Sequence, residues 1–343
     1  MADKKSLVTG GAGFIGSHLV EHLISRGDRV VVIDNESTGR RANLAALAEH
    51  PRLEYHRADV LETGLLRRTL ADVDEVYHLA AAVGVALIAK SPIRTIETNI
   101  APTELLLGEL AEVHRGRIAR SEPSPTLFLA STSEVYGKNP RVTWGEEDDL
   151  VLGSTTRPRW AYGASKAIDE FLALAYHREQ GLPVVIGRLF NVVGPRQSGA
   201  YGMVVPRMVE RALAGGPVIV HDDGRQQRTF ADVREVVRAV AMLTGCVAAH
   251  GQVVNIGSDR PVEILGLAEE VIRQVDPAVP IEFQTYTDAY GPDFEDVRRR
   301  VPRLDRLKTL VGLTPERPLS EIVAEVVAER RARPESGSEG SDA

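Results

Sequence analysis

The sequence predicts a doubly wound α/β fold: a parallel sheet covered by helices on both faces, with a smaller domain lying over the strand ends. Short apolar runs recur at 6–9, 29–33, 53–56, 74–79, 126–131 and 183–188, and helix-like segments separate most of them. That alternation is the pattern of a parallel sheet. The first run enters a glycine cluster, Leu7-Val-Thr-Gly-Gly-Ala-Gly-Phe-Ile-Gly16, followed by helical spacing over 17–24. Asp34, Asp59, Ala80, Ala81 and the stretch 131–134 fall at the carboxyl ends of successive runs, where open α/β sheets gather ligands.

The glycine cluster is a strand, a tight turn and a helix start. Gly10, Gly13 and Gly16 stand three apart, and Gly11-x-Gly13-x-x-Gly16 satisfies a dinucleotide-binding fingerprint. Glycines let the backbone turn sharply and approach a pyrophosphate, and the new helix offers free N–H groups to it. The second run, Arg29-Val-Val-Val-Ile-Asp34, ends in an acid about twenty residues after the loop, where a carboxylate accepts the ribose hydroxyls of NAD. The same charge would repel a 2′-phosphate, although Arg40 and Arg41 lie nearby. Asp59, after the third run, is placed either to accept from the adenine amino group or to cap the next helix. His78-Leu-Ala-Ala-Ala82 ends the fourth run with small residues that let a cofactor lie against the backbone. The pattern over 98–112 predicts a long helix begun by Asn99, with Pro102 in its first turn.

Beyond residue 188, Gly194-Pro-Arg196, the glycines at 199 and 202, Gly215-Gly-Pro217 and Asp222-Asp-Gly224 punctuate shorter elements. Expected boundaries are 1–193 for the nucleotide-binding domain, with 231–258 returning to it, 194–330 for a substrate domain, and a disordered tail over 331–343.

With 343 residues, 43% apolar and 26% charged, the chain has a globular composition. A net charge of −7 gives no footing for nucleic acid or an anionic membrane. No apolar run approaches the roughly 20 residues of a membrane helix, and Met1-Ala-Asp-Lys-Lys5 leads straight into a strand, leaving no room for a signal peptide. The single Cys246 lies in an apolar run and reads as packing, in keeping with a reducing cytoplasm.

Tyr162-Gly-Ala-Ser-Lys166 opens the helical pattern 161–180, and a spacing of four puts Tyr162 and Lys166 on one face. A phenol of ordinary pKa about 10 is a poor base at neutral pH. A nearby ammonium and a cationic nicotinamide both favour its ionised form. Ser131-Thr-Ser-Glu-Val-Tyr-Gly137 supplies hydroxyls at a strand end, able to hold a sugar hydroxyl while Tyr162 takes its proton.

Together, Thr-Gly-Gly-Ala-Gly-Phe-Ile-Gly, His-Leu-Ala-Ala, Ser-Thr-Ser-Glu-Val-Tyr-Gly, Tyr-x-x-x-Lys and Arg188-Leu-Phe-Asn-Val-Val-Gly-Pro-Arg196 resemble the extended short-chain dehydrogenase/reductases. More narrowly they resemble the nucleotide-sugar epimerase, dehydratase and decarboxylase branch, over about residues 6–330. The resemblance implies a Rossmann-type domain, tightly held NAD, no metal, a UDP-sugar substrate and a homodimer pairing helices near 99–115 and 161–180. It implies cofactor contacts at Gly10, Gly13, Phe14, Ile15, Gly16, Asp34, Asn35, Ser37, Thr38, Gly39, Asp59, Val60, Leu79, Ala80, Ala81, Asn99, Tyr162 and Lys166. The implied catalytic set is Tyr162, Lys166, Thr132, Ser133 and Glu134, with Tyr162 the base and Thr132 assisting at the sugar O4. The implied substrate contacts are Thr132, Ser133, Asn191, Arg196, Arg228 and Arg300, the last two matching arginines that hold the diphosphate. Arg298 and Arg299 read as a solvated face.

Members of the branch oxidise C4 of the sugar and diverge afterwards. A 4,6-dehydratase needs an Asp-Glu pair after the threonine, and this chain has Ser133-Glu134. UDP-glucuronate decarboxylases resemble it at Ser-Thr-Ser-Glu-Val-Tyr-Gly, Arg157-Pro-Arg-Trp160 and Gln-Gln-Arg-Thr-Phe. UDP-glucuronate 4-epimerases resemble it at Ala81-Ala-Val-Gly-Val85, Ser91-Pro-Ile-Arg-Thr-Ile-Glu-Thr-Asn99 and Tyr201-Gly-Met-Val-Val-Pro206. The sequence expectation is 4-epimerisation of UDP-glucuronate to UDP-galacturonate, with Thr132, Ser133 and Arg196 clamping the sugar carboxylate. Decarboxylation and a UDP-glucose epimerase are the alternatives. A non-catalytic NAD sensor is remote, because Tyr162 and Lys166 are both present.

Overall fold

The computed structural model describes residues 3–82, 91–200, 202–291 and 295–332. Strands and helices alternate through its first half: β1 Lys5–Thr9, α1 Phe14–Arg26, β2 Arg29–Asp34, β3 Leu53–Arg57, α2 Thr63–Leu70, β4 Glu75–His78, α3 Pro92–Ala119, β5 Thr126–Thr132, α4 Ala161–Gln180 and β6 Val184–Leu189. The second half runs β7 Val192–Val193, α5 Val204–Leu213, β8 Val218–His221, β9 Gln227–Thr229, β10 Ala231–Asp232, α6 Val233–Thr244, β11 Gln252–Ile256, β12 Pro261–Glu263, α7 Ile264–Val275, β13 Ile281–Gln284, α8 Tyr286–Tyr290, β14 Arg299–Arg300, α9 Asp305–Val311 and α10 Leu319–Ala332.

Seven strands form one sheet in the order β11-β6-β5-β4-β1-β2-β3, and every pairing is parallel. This is the Rossmann arrangement, with a switch of direction between β1 and β4. The strands read as unbroken apolar runs because both faces are covered. Alternate side chains serve opposite cores: Val8, Val30, Val32, Tyr77 and Phe128 meet α1 and α6, whereas Leu7, Val31, Ile33, Val76, Leu127 and Leu129 meet α2, α3 and α4. Each such fully buried side chain contributes roughly 1.5–3 kcal/mol by transfer from water.

The segment 231–258 lies with this sheet. β10 pairs with β7, and β11 closes the edge beside β6. The helix α9 also joins it, since Leu304 and Leu307 share a core with Val254 and Ile256. The C-terminal part of the expected 194–330 domain is therefore divided. The remainder packs α5, α7 and α10 around Val205, Val209, Leu267, Val271, Ile322 and Val326, with β8 and β13 alongside.

Two expectations need correction. The helix expected from residue 98 starts at Pro92, and Pro102 lies inside it rather than in its first turn. Ser91-Pro92 is itself a helix start, and that earlier proline takes the position where a missing N–H costs nothing. The helix α10 runs through residue 332, into the expected tail; residues 333–343 lie outside those described. So do Val83, Gly84, Val85 and Tyr201 of the quoted motifs.

Candidate active site

One cavity of about 1650 Å³ opens over the carboxyl ends of β1, β2, β4 and β5 and runs between the two cores. Pockets for single drug-sized ligands measure roughly 300–1,000 Å³, so this one has room for two.

At its nucleotide end the glycine loop is dictated by contact. Gly10 adopts φ +72°, and a Cβ there would lie 2.8 Å from the Ala80 amide nitrogen. A Cβ on Gly16 would lie 2.1 Å from the Gly10 carbonyl oxygen. The loop thereby lets α1 begin against the cavity, whose wall includes Gly10, Gly13, Phe14, Ile15 and Gly16. Asp34 ends β2. Its carboxylate accepts from the Ala12 amide at 2.9 Å and the Glu36 amide at 2.7 Å. Burial raises its pKa, with those two amides opposing. Asn35, Ser37, Thr38, Asp59, Val60, Leu79, Ala80 and Ala81 complete the wall. Asp59 lines the cavity, and its Oδ1 accepts from the Leu61 amide at 2.9 Å; it does not cap the next helix, whose N-cap is Glu62.

Three expected cofactor contacts, Gly39, Asn99 and the buried Lys166, do not line the cavity wall, and the first two act indirectly. Gly39 packs on the Ala12 backbone, 2.8 Å from where its Cβ would stand. Asn99 is buried, and its Oδ1 accepts from the Ala82 amide at 2.8 Å while its Nδ2 donates to Ser165 at 3.2 Å. Both hold backbone in place rather than face the cavity.

At the reaction end, Thr132, Glu134, Arg159, Tyr162, Arg228 and Arg300 share the wall. The Thr132 hydroxyl lies on the same wall and works to lower the Tyr162 pKa. The Tyr162 pKa is nonetheless raised above the ordinary value, first by burial and then by the Glu134 charge. Of the two cations expected to favour the phenolate, the Lys166 ammonium is already paired: it donates to Asp169 at 2.8 Å inside the protein.

Glu134 is the hub of a charge cluster. Arg159 donates to its carboxylate, and Arg300 stands 3.5 Å away. Burial works to raise the Glu134 pKa, but the two guanidiniums outweigh it and hold it below the ordinary value. Strand β14 pairs with β9 so that Arg300 lies opposite Arg228. Arg228 Nη2 donates to both carboxylate oxygens of Asp296, at 2.8 and 2.9 Å, and Asp296 also accepts from Tyr286 at 2.7 Å. Burial lowers the Arg300 pKa to about 10, which leaves it a cation at neutral pH.

Ser133 does not reach the cavity. It is fully buried, and its hydroxyl accepts from Arg300 at 2.7 Å. Arg196 lines the cavity, but its guanidinium bonds Glu21 at 2.6 and 2.9 Å and the Asn43 carbonyl at 2.8 Å, on the α1 side. Neither residue is arranged as a clamp on a sugar carboxylate. Asn191 is at the wall, donating to the Thr229 carbonyl at 2.9 Å. Arg298 and Arg299 are tied to Asp223 and Gln227, each at 2.7 Å. Arg159 appeared in the sequence only as part of a quoted motif, and its place three residues before Tyr162 was the available signal. Asp169 stands three residues after Lys166 on the same helix face, a spacing that was available, whereas Asp296 and Tyr286 carried no signal that local spacing could show.

Residues 6–257 match the family described as the NAD dependent epimerase/dehydratase family. The chain belongs to that family. It is 34% identical over 314 residues to the UDP-N-acetyl-alpha-D-glucosaminuronate decarboxylase of Bacillus cytotoxicus, covering 91% of this chain and 93% of that one. It is 36% identical to UDP-glucuronic acid decarboxylase 1 of Arabidopsis thaliana, over 97% of this chain and 71% of the relative. Among solved structures, the UDP-glucuronic acid 4-epimerase from Bacillus cereus, in complex with UDP-glucuronic acid and NAD, superposes with a TM-score of 0.83. It has 27% identity, over 95% of this chain and 99% of that one. The cofactor of this family member is NAD, and the site suits it: the loop leaves no room for side chains at Gly10 and Gly16, and α1 starts against the cavity. Among the described residues no helix is long and apolar enough to cross a membrane.

Proposed function

We propose that this enzyme converts a UDP-hexuronate, UDP-glucuronate foremost, through a transient 4-ketone to a UDP-pentose or its 4-keto form, with loss of carbon 6 as CO₂. The observation that carries this is Glu134, kept ionised between Arg159 and Arg300 beside Thr132 and Tyr162.

In this reading the free amides at the start of α1 receive the pyrophosphate of NAD, Asp34 the adenosine ribose, and Tyr162 with Lys166 the nicotinamide ribose. NAD supplies hydride acceptance and return at the sugar C4. Asn191 and Arg228 meet the sugar–diphosphate side. Tyr162 takes the O4 proton, with Thr132 hydrogen-bonded to the same oxygen. The ketone then stands beta to the C6 carboxylate. When the C5–C6 bond breaks, its electron pair passes to C5 and the C4 oxygen, and carbon 6 leaves neutral. The negative charge moves toward the Thr132 and Tyr162 hydroxyls and away from Glu134. The repulsion between Glu134 and the sugar carboxylate, reduced by the Arg159 and Arg300 charges beside it, is larger in the ground state than in the transition state, which is the direction that accelerates a reaction.

Epimerisation, the outcome expected from the sequence, has support in the Bacillus cereus relative. It requires the carboxylate to be held out of the perpendicular geometry that releases CO₂. Of the three residues assigned to that task, Ser133 is bonded to Arg300 and Arg196 to Glu21. This favours the decarboxylase reading. Incubation of the purified protein with UDP-glucuronate decides between them: stoichiometric CO₂ with a UDP-pentose or 4-keto-pentose by mass and NMR supports it, and UDP-galacturonate without CO₂ overturns it.

The enzyme is further proposed to be a homodimer. Ile93 and Ile118 on α3 and Ile168 and Phe171 on α4 are exposed apolar side chains on two adjacent helices.

A further inference from the structure

Helix α4 carries a third ionisable side chain that the mechanism above does not use. Asp169 lies three residues beyond Lys166 and is completely buried. Its Oδ2 accepts from the Lys166 ammonium at 2.8 Å, while its Oδ1 has no hydrogen-bond partner. Helix propensity does not favour Asp in mid-helix, and burial works against its charge. Its contribution therefore lies in what it does to Lys166.

We propose that Asp169 is a positioning residue for the reaction: it anchors the Lys166 ammonium in a direct ion pair and neutralises it, so that Tyr162 faces a balanced pair rather than a free cation. The inference rests on Tyr162 being the base. An ammonium and a cationic nicotinamide both favour the phenolate, and the buried Asp169 charge opposes them, so the carboxylate sets how far the phenol is drawn toward the working pH. The same carboxylate fixes the lysine through one of its N–H groups.

The other groups facing this pair do not substitute for it. From α3, the Thr103 hydroxyl donates to the Asn99 carbonyl at 2.8 Å. From β4, His78 bonds that same hydroxyl at 3.2 Å and Thr9 of β1 at 2.7 Å; burial holds its pKa down to about 3, so it is neutral. On α4, Glu170 is tied to Arg188 of β6 at 2.7 Å. Around the phenol itself stand Glu134, already gripped by Arg159, then Arg300 and the Thr132 hydroxyl.

Asp169→Asn keeps the shape and removes the charge. Two quantities test it: the acidic limb of kcat/KM in the NAD-loaded enzyme, and the phenolate absorbance of Tyr162 in protein without substrate, isolated by subtracting Tyr162→Phe. Both midpoints are expected to fall by about 0.5 pH unit, about a threefold change in phenolate fraction near the midpoint, with KM for the sugar unchanged. A folded Asp169→Asn protein with both midpoints at the wild-type values, and only a lower melting temperature, overturns the proposal. If Asp169→Asn does not fold, Asp169→Asn combined with Lys166→Gln removes both charges together. Its phenolate midpoint is expected at the wild-type value, and a clear rise overturns the proposal. Tyr162→Phe separates the two ideas: full turnover in that variant removes the function itself, whereas lost turnover with unmoved Asp169→Asn midpoints removes only this inference.

Discussion

Gly16→Ala tests the cofactor loop through geometry alone. The added methyl would lie 2.1 Å from the Gly10 carbonyl oxygen and 2.8 Å from the Gly11 Cα. Both are backbone atoms, so no side-chain rotamer relieves the contact. Cβ atoms essentially never approach within 3.0 Å, so the gap must open by about 0.9 Å. An N–H that donates to a phosphate at about 2.9 Å would then stand near 3.8 Å, outside hydrogen-bonding range. Each charge-assisted bond lost removes about 1.5–3 kcal/mol, or roughly ten- to 150-fold in affinity. Overpacking lowers the stability of the fold by a further roughly 1–3 kcal/mol. The assay is NAD titration by fluorescence or calorimetry, with urea melts alongside. Gly64→Ala is the control. It lies in α2, its nearest contact would be an Arg68 side-chain atom at 3.6 Å, and its φ is unremarkable. That variant is expected to gain about 0.5–1 kcal/mol of stability with unchanged NAD affinity. A Gly16→Ala protein binding NAD as tightly as wild type would refute the steric account of the loop.

Two further outcomes follow from the charges and the exposed apolar residues. Glu134 is held below the ordinary carboxylate value, burial opposing and the Arg159 and Arg300 charges prevailing. The stability it contributes is therefore complete above the unfolded value of about 4.3 and is lost as pH falls through the lower folded value. Glu134→Gln leaves two buried guanidiniums short of a partner, a cost of about 3–5 kcal/mol at pH 7. In urea melts the gap to wild type should narrow below about pH 4.3; a gap independent of pH counts against the ion pair. Phe171→Asp puts a charge on the exposed face of α4, where Phe171 is 69% exposed. It should yield monomers with unchanged helix content in sedimentation, and a variant that sediments as the wild type does removes that face as the dimer interface.

The sheet was readable because its signal is local. Val30, Val31, Val32 and Ile33 are continuous in sequence since both faces of β2 are covered, and the glycine loop announces itself through spacing. The start of α3 was misplaced because a proline reads as a first-turn residue, and this helix has two, at 92 and 102. Strands of two residues, β7, β10 and β14, are too short for any period to register. The site was legible in its types and less so in its partnerships. Arg196 looks like an anion ligand until the fold brings Glu21, 175 positions earlier, against it. Ser133 looks exposed at a strand end until Arg300 covers it from 167 positions later. Such pairings depend on which loops the topology stacks together, and hydrophobic spacing does not encode that.

The strand β11 has a consequence for biosynthesis. It completes the edge beside β6, yet over sixty residues separate the two, most of them occupied in building the smaller core. Until Ile256 has left the ribosome, the nascent sheet presents β6 with unpaired amides and carbonyls along one side. Bare sheet edges of that kind recruit other chains. Slow translation, or truncation between residues 190 and 250, should therefore leave this polypeptide dependent on chaperones, whatever the stability of the finished enzyme.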